Sequence, residues 1–380
     1  MLQIDHVYEF FYSTIFNKHT IISFPGGVLP ENYLLSKEDM WTNLHVFNTD
    51  TEHVIFFYDQ EPILELIMNK FMAGLKLKIL DTDKLTFVIS EKSSLLDSYA
   101  STYDANLLYY FFHGFAAMDW YRGFYALNYN KQVIKEYKYD YITFNRLVSN
   151  DRSYRCYFVS KLAEELLLEH GQVSFGLETE HATWQDEIVD VNTKLSSKAI
   201  NHIKLHLPST PLIVDNEHVH GSASADIPRC TNDSFWHIVT ETVFYYDKLH
   251  LTEKIFKPIV MKQPFMLLAA PGNLAYLKSY GFKTFEGIID ESYDIIIDND
   301  QRTEAVVAQI AWYCALTAEE KQTVIEAIAP IVEYNFHHFY GEFKHIIARE
   351  LLDNCQTLFK EISYDDNAVA YDDIYRVLTN

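Results

Sequence analysis

Between residues 235 and 257 the chain reads FWHIVTETVFYYDKLHLTEKIFK, which brings two carboxylates, Glu241 and Glu253, and two ammonium groups, Lys254 and Lys257, into one short stretch. The apolar residues Ile255, Phe256, Ile259 and Val260 recur at i, i+4 and mark a helix with one buried stripe. Thr252 is in place to cap it, and Pro258, lying past the first turn, must either kink the helix or delay its start. On both readings Thr252-Glu253-Lys254 stands at a helix entrance. Such an entrance gathers unpaired backbone N–H groups and the positive end of the helix dipole, so it suits an anion, and Lys254 adds a mobile positive charge. A phosphate fits there. Glu253 would be repelled by that phosphate, so its better role is to accept hydrogen bonds from ribose or sugar hydroxyls. Together these groups describe a site for a nucleotide sugar, although an isolated TEK is also what an amphipathic helix with a solvated Glu-Lys pair presents.

Two further segments carry charged residues at the ends of expected strands. The apolar run Val54–Phe57 leads into Tyr58-Asp59-Gln60-Glu61-Pro62, so Glu61 falls just beyond the carboxyl end of a short strand. Open α/β sheets place their working residues there. Residues 141–162, YITFNRLVSNDRSYRCYFVSKL, read as a strand, a polar turn with Ser149, Asn150 and Asp151, and a helix carrying Tyr154, Phe158 and Leu162, with Arg146, Arg152 and Arg155 around the turn.

In this order the three segments resemble the signature of the α-1,3-fucosyltransferases and a wider group of bacterial and viral (phage) glycosyltransferases. Glu241 and Thr252-Glu253-Lys254 match an acidic FxxEN-like segment followed by a TEK helix, with Thr242 in place of the asparagine. The segment 57–61 is similar to an FYxGE turn, with Gln60 in place of glycine. The strand, SN turn and arginine-bearing helix resemble residues 141–162. The likeness runs from about Val54 to Phe285.

The resemblance implies that Glu61 is the general base, that Arg155, with Arg146 and Arg152 as neighbours, binds the donor diphosphate, and that Glu241, Thr252, Glu253, Lys254 and Lys257 hold the donor. An arginine suits a diphosphate because its planar fork pairs two oxygens and stays charged. Ordinary surface placement is the competing reading for Arg146 and Arg152. The expected reaction is direct, inverting transfer from a nucleotide sugar to a glycan or other acceptor hydroxyl, with no covalent glycosyl-enzyme. Cations offset the charge on the leaving diphosphate, so no metal or other cofactor is obligatory. Asp59, Gln60 and His113 are acceptor-side candidates; His113 precedes Asp119-Trp120-Tyr121-Arg122, a cluster equally able to be core with a salt bridge.

These residues need elements to hold them. Up to about residue 138 short apolar runs (Thr20–Phe24, Val54–Phe57, Lys78–Leu80, Leu85–Ser90) alternate with helical stretches such as Ile63–Leu75, the pattern of an open α/β sheet. A second α/β set comes after it: a helix at Ser153–His170, strands at Leu212–Val214, Phe235–Thr242 and Pro264–Ala269, then long helices at Thr303–Leu316 and Ala318–Phe343. The expected domains are therefore 1–138 on the acceptor side, 139–360 for the nucleotide sugar, and an acidic tail, 361–380. The resemblance gives them as two Rossmann-like domains facing each other across a cleft, the GT-B arrangement.

Composition narrows the classes. The 380 residues are 48% hydrophobic, with 27 Tyr and 26 Phe, which a disordered chain would not carry. A net charge of −22 disfavours broad binding to nucleic acid or an anionic membrane. Nucleic acid enters only as a modified-DNA acceptor, since a viral enzyme acting on hydroxymethylated bases would share these donor residues; a nucleotide- or glycan-binding module without turnover is the other alternative. The four cysteines show no CxxC pattern and fit reduced thiols. The N-terminal stretch lacks a basic n-region and no apolar run spans a bilayer, so a cytoplasmic protein without membrane insertion is expected. No metal site is expected: the DxD triplets at 81–83 and 298–300 read as acidic turns, and His202 with His206 shares a helix face without a third ligand in sequence.

Overall fold

The computed structural model of the protein describes residues 4–14, 20–24, 54–58, 62–63, 69, 85–131, 137–145, 147–148, 150–176, 188, 190, 193–208, 212 and 229–361. Asp59, Gln60, Glu61 and Arg146 lie outside the described residues, as do the expected strand at 78–80, nearly all of the helix expected at 63–75, the triplet at 81–83 and the tail beyond 361. The chain is an α/β fold on parallel sheets and divides into two units, Met1–Arg122 with Gly341–Asn380, and Gly123–Tyr340.

The first unit carries α1 (Ile4–Thr14), β1 (Thr20–Phe24), β2 (Val54–Tyr58), β3 (Leu85–Ile89), α2 (Ser94–Thr102), β4 (Asn106–Tyr109) and α3 (Phe112–Trp120), together with the C-terminal helix Phe343–Glu361. Its strands pair in parallel in chain order, with Phe56 opposite Phe87 and Val88 opposite Leu108. The runs VIFFY and LTFVI lack polar alternation and Leu85–Ile89 is buried throughout, the pattern of a parallel sheet covered on both faces. Glu91, buried two residues past β3, accepts hydrogen bonds from Ile63 N (2.8 Å) and from the hydroxyl of Ser93 (3.2 Å), the N-cap of α2.

The second unit is built from α4 (Phe124–Asn128), β5 (Tyr139–Asn145), α5 (Tyr154–Glu164), β6 (Gly171–Phe175), α6 (Ser197–His206), β7 (Ser234–Thr240), α7 (Glu253–Val260), β8 (Phe265–Leu268), α8 (Asn273–Ser279), α9 (Asn299–Cys314) and α10 (Ala318–Tyr340). Its sheet runs β8-β7-β5-β6, all parallel, and every residue of the central β7 is buried. Here the strand order reverses: from β5 the chain goes to one neighbour, β6, and then returns to the other, β7.

Helix ends in this unit arise from local chemistry. The helix expected over 153–170 stops at Glu164, because Leu166 adopts a left-handed conformation (φ 56°) and Leu167 N and Leu166 N close back on the carbonyls of Leu162 and Ala163. The same closure ends α7: Lys262 (φ 53°) and Gln263 return to Ile259 O and Pro258 O, with Pro264 next in the chain. Pro258 is accommodated inside α7, which begins at Glu253 with Thr252 as its N-cap. Of the strand expected at 212–214, Leu212 forms an antiparallel bridge with Phe175. Among the described residues no helix is long and apolar enough to cross a membrane.

Candidate functional site

The strand order reverses between β5 and β7, and the carboxyl ends of two such strands are the position at which open α/β sheets bind ligands. Glu241 is the first residue past β7 and is fully buried. Its carboxylate takes three hydrogen bonds, from Thr252 N (3.2 Å), from the Thr252 hydroxyl (2.6 Å) and from Thr242 N (3.2 Å). Thr252 in turn caps α7 by accepting Lys254 N at 3.4 Å. Glu241 thereby fixes the entrance of α7 against the end of β7.

Lys254 completes the cluster. Its ammonium donates to the hydroxyls of Thr242 and Thr252, each at 3.3 Å, and pairs with Glu253 Oε1 at 2.9 Å. The Glu253 side chain is buried whereas that of Lys254 is 24% exposed, so Lys254 is the more solvent-accessible member of the pair. An anion arriving there finds a cation already supported by two hydroxyls, at a helix entrance whose dipole favours it.

Arg155 reaches the same strand end from the first turn of α5. Its terminal nitrogens donate to the carbonyls of Leu147 (2.9 Å), Thr240 (2.7 Å) and Glu241 (3.3 Å), and Tyr154 donates its phenol to Glu241 O at 2.6 Å. Arg155 is nearly completely buried. It braces the ends of β5 and β7 and brings a positive charge beneath Glu241, so any phosphate there would share a guanidinium already engaged with backbone. Tyr154 stacks on Phe244 at 3.9 Å between ring centroids, and burial raises its phenol well above the ordinary range. The guanidinium of Arg302 lies 4.3 Å over the other partner of that stack, Phe244, and donates to the carbonyls of Phe244 and Ala269; burial lowers it to about 10. These contacts hold the connection from Glu241 to Thr252 in place.

Glu241, Thr252, Glu253 and Lys254 thus come together in one hydrogen-bonded group, with Arg155 bonded to the backbone behind it. Arg152 lies in the turn before α5, half-buried, in the same 3-10 turn as Asp151, whose carboxylate accepts the Tyr246 hydroxyl at 2.9 Å. Lys257 lies one turn further along α7, and its charge, after burial, helps push His237 in the middle of β7 down to about 3. His113 is buried in the first turn of α3 in the first unit, its ring set edge-on to Phe112 at 5.1 Å; Asp119 there pairs with Arg122 at 2.6 Å and accepts Ile4 N.

Thr242, which replaces the asparagine of the resemblance, contributes a hydroxyl to Lys254 and a backbone N–H to Glu241. Neither role has a local sequence signal, since one depends on a residue 12 positions away and the other on the turn itself. At the turn Pro271-Gly272, Gly272 N donates to Asp294 O at 2.7 Å. Asp294 accepts Leu274 N (2.8 Å) and Ala275 N (3.0 Å), so the entrance of α8 is already filled by a carboxylate. Glu291 accepts the Thr284 hydroxyl and Phe285 N, each at 2.7 Å, and Asp298 caps α9 through Gln301 N at 2.8 Å.

Comparison with protein-family models, with curated proteins and with solved structures returns no match for this chain.

Proposed function

We propose that the protein is a glycosyltransferase that moves a sugar from a nucleotide-sugar donor to an acceptor hydroxyl with inversion. The observation that carries this reading is the Lys254 ammonium, supported by Thr242 and Thr252 and anchored through Thr252 to buried Glu241, beside the strand-order reversal of the second sheet. In this reading the donor diphosphate draws the ammonium away from Glu253, and the released carboxylate accepts hydrogen bonds from ribose or sugar hydroxyls. Lys254, with Arg155 behind the strand end, then offsets the charge that grows on the leaving phosphate oxygen.

Glu61 takes the proton of the acceptor hydroxyl as that oxygen bonds to the anomeric carbon and the bond to the diphosphate breaks. The two α/β units are then the two Rossmann-like domains of a GT-B enzyme, the second holding the donor and the first supplying the acceptor side.

The test is hydrolysis and binding over a panel of UDP, GDP, CMP and ADP sugars. One donor should be bound and slowly hydrolysed, and Glu61→Gln should keep that binding while losing about 10²- to 10⁴-fold in transfer to an acceptor hydroxyl. A chain that binds none of the panel is not a nucleotide-sugar enzyme, and a Glu61→Gln chain with undiminished transfer has its base elsewhere.

A further inference from the structure

The helices α5 and α6 bring together a second group of chemistry-bearing side chains that the donor site does not use. His202 and His206 lie one turn apart on α6, their rings stacked with centroids 4.5 Å apart. Facing them is Glu164, the last residue of α5. Its Oε2 is 2.9 Å from His202 Nε2 and its Oε1 is 3.9 Å from His206 Nε2, and one ligand atom from each of the three residues lies within 4.8 Å of the other two. The left-handed Leu166 that stops α5 fixes Glu164 in this place.

The surroundings orient the first imidazole. The Ser160 hydroxyl donates to Tyr157 O at 2.7 Å, so its lone pair faces His202 Nδ1 at 3.0 Å and calls for N–H there. The proton of a neutral His202 is thereby held on Nδ1, and the Nε2 lone pair is turned toward a carboxylate oxygen. A lone pair and a carboxylate at 2.9 Å need a positive centre between them, either a proton or a metal ion. Partners of this kind on the far ring nitrogen are what orient metal-binding histidines.

We propose that Glu164, His202 and His206 bind a divalent transition-metal ion of the zinc class, which ties α6 to the last turn of α5. Two imidazole nitrogens and one carboxylate oxygen are a ligand set for such an ion, with a fourth position left to water. Four-coordinate bonds of this kind put donor atoms about 3.3 Å apart, so small side-chain rotations close the set. The group lies nine residues along α5 from Arg155, about 14 Å by helical rise, so the site is separate from the proposed donor cluster and does not depend on it.

The other charges that face the group are accounted for. Lys161, one turn before Glu164, places its ammonium on Oε2 and, with His202, holds the Glu164 carboxyl down to about 2. It is the cation that a metal displaces. Glu304, on α9, offers it an alternative: it accepts the Tyr157 hydroxyl and Lys198 and already interacts electrostatically with Lys161.

The full chain is titrated with Co²⁺, read by the visible bands of the bound ion, and with Zn²⁺ by calorimetry. The wild type should take up one equivalent that His206→Ala loses, a difference that discounts binding by the other histidines; far-ultraviolet circular dichroism checks that the variant folds. Ser160→Ala should weaken binding by about 10-fold at unchanged stoichiometry. Lys161→Met should tighten it, because the competing ammonium is gone, an effect that a purely structural ion pair would not produce. A wild type without bound Co²⁺, a His206→Ala chain with wild-type affinity, or a Lys161→Met chain that binds more weakly overturns the proposal.

Discussion

Each unit of this protein fastens a helix to a strand with the same device, a buried glutamate just past the strand that grips the hydroxyl of the next helix's N-cap. In the first unit Glu91 holds Ser93 and Ile63 N; in the second Glu241 holds Thr252 and two backbone N–H groups. The residues after the cap differ. Ser93 leads into Ser94 and Leu95, whereas Thr252 leads into Glu253 and Lys254, and the Lys254 ammonium lies on the capping hydroxyl itself. The sheets differ in parallel: β1 to β4 pair in chain order, and β5 to β8 contain a reversal beside Glu241. The second fastening differs in carrying a cation on its cap beside a strand-order reversal, which is where the donor site is proposed.

The largest expected effect tests the shared half of this comparison. Glu91→Ala and Glu241→Ala each strand buried donors, and by the usual cost of unsatisfied groups each should lower unfolding stability by about 2–4 kcal/mol in urea titrations. Only the second should also abolish nucleotide binding under conditions where the folded form still dominates. Equal loss of binding in both would erase the distinction between the two units.

A smaller effect separates the sheets by pH. The strands β1 to β4 contain no histidine, while His237 on β7 is buried and pushed down to about 3. A histidine with a depressed folded value binds its proton more readily in the unfolded chain. Between about pH 3 and 6.5 the unfolded state therefore holds more protons, and stability rises with pH through that window. Lowering the pH from 7 to 5 should cost about 2 kcal/mol through this residue. His237→Gln should flatten that part of the profile, measured by urea unfolding at each pH; an unchanged slope would assign it to other groups.

Much of the local organisation was legible in the sequence because local chemistry decides it. The i, i+4 stripe placed α7, Thr252 capped it as its type requires, and the alternation of apolar runs with helical stretches pointed to the parallel α/β character. The connections between elements were not legible. That β5 lies between β6 and β7 is a pairing choice among similar apolar strands, and no residue pattern within a strand records it. Arg155 showed the right charge in the right segment, but its engagement with the carbonyls of Leu147, Thr240 and Glu241 depends on two strand ends meeting. His202 and His206 gave a helical spacing, and the third group, Glu164, comes from another helix 38 residues earlier. The base assigned to Glu61 remains a sequence reading, as that residue lies outside the described ones.

The most direct test of the central claim is a calorimetric titration of nucleoside diphosphate into the wild-type chain and into Lys254→Ala. Lys254 is partly exposed but pairs with the buried Glu253 carboxylate, so the variant is expected to lose some stability, and urea unfolding sets the conditions under which it is fully folded for the titration. The account predicts saturable binding by the wild type for at least one base and an affinity at least about 10-fold weaker for the variant, the value of one charge-assisted hydrogen bond. Equal affinity in the two chains would contradict it and leave Lys254 a solvated helix residue.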